Sequence, residues 1–389
     1  MRTMHAPTAS TPGLLGPALA AAGIVACGVA VASAPAHARA AAAQDWSPFV
    51  LVAGLLLVGL VADEDGLFAT GGHALARLAP GGITLYVGAT VLVVSVTTLL
   101  NLDTSVTFLT PVLIYAARSR GQGEAPLLAA CLLLSNAGSL MLPGSNLTNL
   151  IVLGHLHLSG GAFLAHMAIP ALAAATVTTV MVAVAHRRDL RAGAAPAEGP
   201  ERPVLGVGLV AVGTVTVLVL ALHQPALPVL AVGLVALAVR VARPGARPAP
   251  DPRDAVRILG LPVLAGLYGI AVALGTLGRS WSGPATQLWH LDAWGTAAVG
   301  ATTSVLVNNL PAASLLAART PPHPFPLLVG LDVGPNLFVT GSLAWVLWLR
   351  AARAAGGRPD IRRASLLGLA SVPLAVAAAV GVLVLEGVG

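Results

Sequence analysis

The chain has 389 residues, of which 56% are hydrophobic and only 9% charged, with a mean hydropathy of +0.86, whereas soluble domains carry about a quarter charged residues. It is therefore a membrane protein. Each helical crossing takes about 20 residues, so at most about a dozen passes fit and little is left for a soluble domain. All 21 basic residues are Arg, which removes P-loop and Schiff-base chemistry, and Cys27 and Cys131 lie in separate apolar segments, which removes a disulfide framework or a thiolate metal site. The net charge of +6 does not point to nucleic acid here, because the Arg residues cluster in short loops as cytoplasmic loops do. No cofactor and no metal are expected.

Residues 1–44 hold an apolar stretch from about Leu14 to Ala32 and end in small residues, so they form a signal peptide or a first transmembrane helix. Apolar runs follow at about 47–62, 83–100, 104–117, 125–158, 162–185, 204–222, 226–242, 258–278, 293–318, 326–349 and 364–386. Arg77 with Arg118 and Arg120, the groups at 187–202 and 243–257, and the group at 350–363 mark the inside face. Residues 279–292 then lie outside and Arg350 inside. Two runs lie between them, so 293–318 must return to its own side as a re-entrant hairpin with its tip at Val307 to Pro311. The same parity makes 83–117 a hairpin entered from inside, with its tip at Asn101 to Ser105.

Each hairpin precedes a segment broken by Gly, Pro and Asn, at 135–146 in the first half and 332–342 in the second. The expected fold is an all-α polytopic membrane protein, an inverted-repeat transporter with two re-entrant hairpins and two broken helices. The first repeat covers 45–185 with an inward-opening hairpin, 186–257 is a linker with two spans, and 258–389 is the second repeat with an outward-opening hairpin.

Of the acidic residues, Asp103 and Asp332 are read as lying well inside apolar segments, the others in loops or at a helix end. A buried carboxylate in a membrane costs a few kcal/mol on insertion scales, and each of these two either couples transport to a proton or cation or caps a half-helix N-terminus. Asn101, Thr104, Ser105, Asn136, Gly144, Ser145, Asn146, Asn149, Asn308, Asn309, Asn336, Gly341 and Ser342 fall in the irregular stretches, which contain no Arg or His. They either satisfy backbone groups freed by the helix breaks or bind substrate. Helix N-termini can hold an anion without Arg, so substrate charge stays open. His155 and His157 read as interfacial. Trp281, Trp289 and Trp294 outside, and Trp345 and Trp348 before Arg350, read as belt anchors.

The stretches Ala62 to Phe68, Asn101-Leu102-Asp103 through Leu109 to Val112, Ser145 to Asn149, Asn308 to Pro311, and Gly334-Pro335-Asn336 through Gly341 to Ala344 with Leu347 to Leu349 resemble the ion-transporter superfamily. They are most similar to its arsenical-pump membrane protein (ArsB) family of arsenite and antimonite permeases. The resemblance runs from about residue 50 to 389. It implies that these residues line the transport site and that a small inorganic oxyacid or anion is exported in exchange for protons from a bacterial inner membrane. The partners it implies are protons or sodium, the lipid bilayer, a cytosolic ATPase on a separate chain, and a second copy in a homodimer. Arsenite would pass as a neutral hydroxide, since two separated cysteines cannot chelate it. The alternative on the same scaffold is a sodium-coupled carboxylate symporter or a sodium/proton antiporter. An intramembrane aspartyl protease with Asp103 and Asp332 as its dyad is a remote third reading, and broken inverted repeats suit ion sites instead.

Overall fold

The computed structural model describes residues 15–154, 156, 158–191, 206–242, 260–281 and 283–388, which are helical with no strand. That is the expected solution for an apolar chain whose backbone must pair internally. In chain order the helices are α1 (Leu15–Ser33), α2 (Pro35–Glu64), α3 (Leu67–Leu78), α4 (Gly82–Leu99), α5 (Leu102–Ser119), α6 (Ala125–Gly138), α7 (Leu147–Leu153) and α8 (Gly160–Ala185). They continue with α9 (Val207–Ala221), α10 (Ala226–Ala242), α11 (Leu261–Ser280), α12 (Ala293–Val307), α13 (Asn309–Leu316), α14 (Pro324–Val333), α15 (Leu343–Ala354) and α16 (Ile361–Leu385). By length and composition α2, α4, α8, α11 and α16 can each cross a bilayer. The chain is an all-α polytopic membrane protein. His155, His157 and most of the basic loops at 192–205 and 243–259 lie outside the described residues.

The boundary expected at residue 44 falls inside a helix. Pro35 opens α2, where its missing N–H costs nothing, and the Ala-rich stretch after it continues unbroken into the next apolar run. Helix α1 lies against α11 at backbone contact, since a Cβ on Gly23 would stand 2.1 Å from the Gly266 carbonyl oxygen and one on Gly269 2.2 Å from that of Gly23. Close approach through small residues is how helices associate in lipid. Helices α9 and α10 pack on α2. The start of α9 and the end of α10 are fixed by Asp65, which accepts the Gly208 N–H at 2.7 Å and meets Arg240 Nε at 3.4 Å. The two spans read as a linker therefore belong to a frame built around α2.

The two halves repeat one packing scheme. Helix α4 packs on α6 as α12 packs on α14, and α6 meets α8 as α14 meets α16. The second arm of each hairpin packs on the half-helix of the other half, α5 on α15 and α13 on α7, and α8 and α16 pack on each other. Such reciprocity is what a two-fold relation between repeats produces. Helices α6 and α14 are buried on all sides, so they form the centre, while α4, α8 and α16 bury one face and turn the other outward.

The tryptophans divide differently from expectation. Trp281, Trp289 and Trp294 are exposed, whereas Trp345 and Trp348 are fully buried. Their spacing of three puts both on the core face of α15. Each indole N–H is spent on a carbonyl, Pro335 at 2.9 Å for Trp345 and Leu128 at 3.0 Å for Trp348. They are core residues rather than belt anchors, because the face of α15 that carries them packs on α5 and α6.

Candidate functional site

Four helix starts meet at one small cavity of about 30 Å³, lined by Leu102 and Asp103 of α5, Asn146 and Leu147 at the start of α7, Asn308 to Leu310 at the start of α13, Ser342 to Ala344 at the start of α15, and Leu267 of α11. Each start has its own local cause. Asn101 caps α5, its Oδ1 accepting the Thr104 N–H at 2.7 Å, and Asn146 caps α7 by accepting the Thr148 N–H at 3.3 Å. Between α12 and α13 the chain turns at Asn308 with φ 77° and ψ 148°, outside the left-handed helical region and strained for a residue with a Cβ. The Asn308 amide donates to the Thr340 carbonyl at 3.1 Å and the Asn309 N–H to that of Gly341 at 2.8 Å, which ties this hairpin tip to the break before α15.

Four N-termini carry the positive ends of four helix dipoles, and no cationic side chain lines the cavity. Asp103 is half-buried there. Its carboxyl has no hydrogen-bond or ion-pair partner among the described residues, so it is free to take a proton or face a cation.

Asp332 is a different carboxylate. It is fully buried at the end of α14 and accepts from three side chains of the first repeat: Ser139 at 3.1 Å, Asn146 Nδ2 at 2.9 Å and the Thr148 hydroxyl. Because Asn146 also lines the cavity, one amide joins the cavity wall to the buried carboxylate. A second cross-link sits beside it, with Asn136 Nδ2 donating to Asn336 Oδ1 at 2.8 Å and Asn336 Nδ2 to the Leu133 carbonyl at 2.9 Å.

The remaining candidates lie around the cavity and do not line it. Ser145 donates to the Thr98 carbonyl at 3.0 Å, because in the tight turn before α7 it points opposite to Asn146. Gly144 rests on Leu55 and Val219. Asn149 Nδ2 donates to the Ser139 and Leu142 carbonyls at 2.7 and 3.2 Å, which satisfies the broken backbone. Thr104 faces Gly59 of α2, and Ser105 lies 3.3 Å from the Ser135 hydroxyl. Gly341 is required by space, since a Cβ there would stand 2.5 Å from Pro335 Cα. The sequence reading missed Asp45. Sequence patterning places it in a loop, yet it sits in α2 and is only 2% exposed, its position being covered by packing that no local pattern announces.

The family model described as citrate transporter (CitMHS) matches residues 10–325. The chain belongs to the citrate transporter family. No curated protein matches. Among solved structures, the YdaH transporter of Alcanivorax borkumensis, reported to have an unusual topology, is similar at 15% identity and a TM-score of 0.54, covering 90% of this chain and 88% of that one. That likeness bears on the fold. Membership of a transporter family agrees with the secondary-transporter reading, and it lends no support to the assignment to the arsenite permeases.

Proposed function

We propose that this protein is a secondary transporter of a small carboxylate, coupled to a proton or a sodium ion. The observation that carries the reading is the convergence of four helix N-termini on one cavity without a cationic side chain. Such a site favours an anion through backbone dipoles, and the membership in the citrate transporter family supports a carboxylate over an arsenic oxyacid. Neither cysteine lines the cavity, which gives arsenite no soft ligand.

Asp103 supplies the coupling. An ionised carboxylate beside the cavity repels a carboxylate substrate, so the anion enters only when Asp103 is protonated or faces a cation that enters with it. Asp332 is the fixed acceptor that aligns Asn146 and Thr148 and joins the two repeats. The outward-opening hairpin is α12 with α13 and the inward-opening one α4 with α5, following the Arg-marked inside face. The test is uptake into proteoliposomes of radiolabelled citrate, arsenite and antimonite, each under an imposed proton or sodium gradient. Citrate accumulating under one gradient is the expected result. Accumulation of arsenite or antimonite with none of citrate would overturn the reading.

A further inference from the structure

The half-helices that start at the cavity are held at their far ends by two unlike devices. At the ends of α5 and α15, Arg118 of α5 donates to the Gly356 carbonyl at 2.7 Å, the Ala355 carbonyl at 3.3 Å and Glu124 Oε2 at 2.9 Å. Glu124 Oε1 in turn accepts the Arg358 N–H at 2.6 Å. Arg118 and its two carbonyl partners belong to α5 and the turn after α15, and Glu124 stands at the start of α6, which packs on α5, so this inner cap draws nothing from α2 or α11.

At the ends of α7 and α13 the cap comes from elsewhere. Gln44 of α2 donates through Nε2 to the Ile151 carbonyl of α7 at 3.1 Å and to the Ala317 carbonyl, just past α13, at 3.3 Å. Arg279 of α11 holds Gln44 Oε1 with one guanidinium nitrogen and donates with the other to Gly275 of its own helix at 2.9 Å. Asp45, the next residue along α2, is buried within electrostatic reach of that guanidinium. One amide therefore meets the final carbonyls of two half-helices whose first residues lie at the cavity. Helix C-termini leave carbonyls unpaired, and a cap drawn from α2 and α11 must break whenever α7 and α13 move relative to them.

We infer that Gln44 and Arg279 form a latch that ties α7 and α13 to α2 and α11 and sets how often the outer end of the site parts. They are positioning residues, acting through the half-helices without touching substrate. The inference deepens the transport reading, and its test uses no substrate, so failure of one leaves the other standing.

The experiment is pulsed dipolar spectroscopy on nanodisc-reconstituted protein spin-labelled at Ala43→Cys on α2 and Arg319→Cys beyond α13, both exposed positions, with Cys27 and Cys131 replaced by Ser. The unlatched form appears as a longer-distance population. Gln44→Leu and Arg279→Gln are each expected to raise it about tenfold, the size of one lost charge-assisted hydrogen bond. Arg279→Lys, which keeps the charge and a donor, is expected to restore most of the short distance. Should Gln44→Leu fail to fold, Gln44→Glu serves, because it keeps an acceptor for Arg279 and loses the donors to both carbonyls. Arg118→Gln, at the inner cap, leaves this distance unchanged. Distributions unaltered in both Arg279→Gln and the folded Gln44 variant, or Arg118→Gln moving them equally, would overturn the latch.

Discussion

Replacing Asp332 separates its role as a hydrogen-bond acceptor from its charge. In Asp332→Asn the amide oxygen can occupy the Oδ1 position and keep the bonds from Asn146 and Thr148, while the amide nitrogen faces Ser139 Oγ. The Ser139 hydroxyl can then turn to the Asn136 carbonyl, which already lies 2.8 Å away. The second N–H of the new amide has no acceptor among these groups, so the expected cost is about 1–3 kcal/mol. Asp332→Leu differs, because Ser139 has that second acceptor and Asn146 and Thr148 lose theirs. Two stranded buried donors at about 1–3 kcal/mol each give about 2–6 kcal/mol. Equilibrium unfolding in mixed micelles, followed through the buried Trp345 and Trp348, measures both. If Asn proves as damaging as Leu, the charge itself holds the fold; if Leu is tolerated, the cross-link between repeats contributes nothing and the reasoning fails.

Further outcomes follow from the same geometry. Asp103→Asn cannot titrate, so it is expected to abolish gradient-driven accumulation in proteoliposomes while substrate exchange at equilibrium persists; retained uphill transport would assign the coupling to another group. Gly341→Ala pushes a methyl into the Pro335 backbone and is expected to lose about 1–3 kcal/mol of stability, whereas Gly144→Ala, whose nearest neighbour would be a Leu55 methyl at 3.5 Å, leaves the unfolding midpoint close to the parent's. Trp348→Phe removes the indole bond to the Leu128 carbonyl, which keeps its intrahelical partner in α6, and is expected to cost about 1 kcal/mol, while Trp289→Phe, at the exposed end, costs nothing measurable in the same unfolding assay. A membrane-impermeant thiol reagent applied from the outside is expected to label a cysteine at Trp289, and labelling only from the cytoplasmic side would reverse the hairpin directions.

The breaks were legible because Gly, Pro and Asn inside apolar runs have few other uses, and Asn101, Asn146 and Asn308 each stand where a helix begins or the chain turns. What periodicity could not convey was direction. Asn146 and Ser145 are neighbours, yet only the first faces the cavity, because a single tight turn sends adjacent side chains apart. The pairing of Asn136 with Asn336 spans 200 residues and has no local trace. Trp345 and Trp348 carry the same local cue as belt tryptophans, apolar neighbours and a following Arg, and only packing on α5 and α6 distinguishes them. The burial of Asp45 has no local trace either, because an Ala-rich run next to Gln and Asp reads equally as the close of one segment or the interior of a longer one.

A cavity of about 30 Å³ has room for about two water molecules, far less than a di- or tricarboxylate occupies. For the carboxylate proposed above to enter, the four helix starts would have to stand apart. The measured affinity is then the intrinsic affinity multiplied by the fraction of molecules so arranged, and a residue remote from the cavity can change apparent Kd severalfold without touching the ligand. For such a substrate, binding constants would report the spacing of the hairpins as much as the chemistry of the cavity walls.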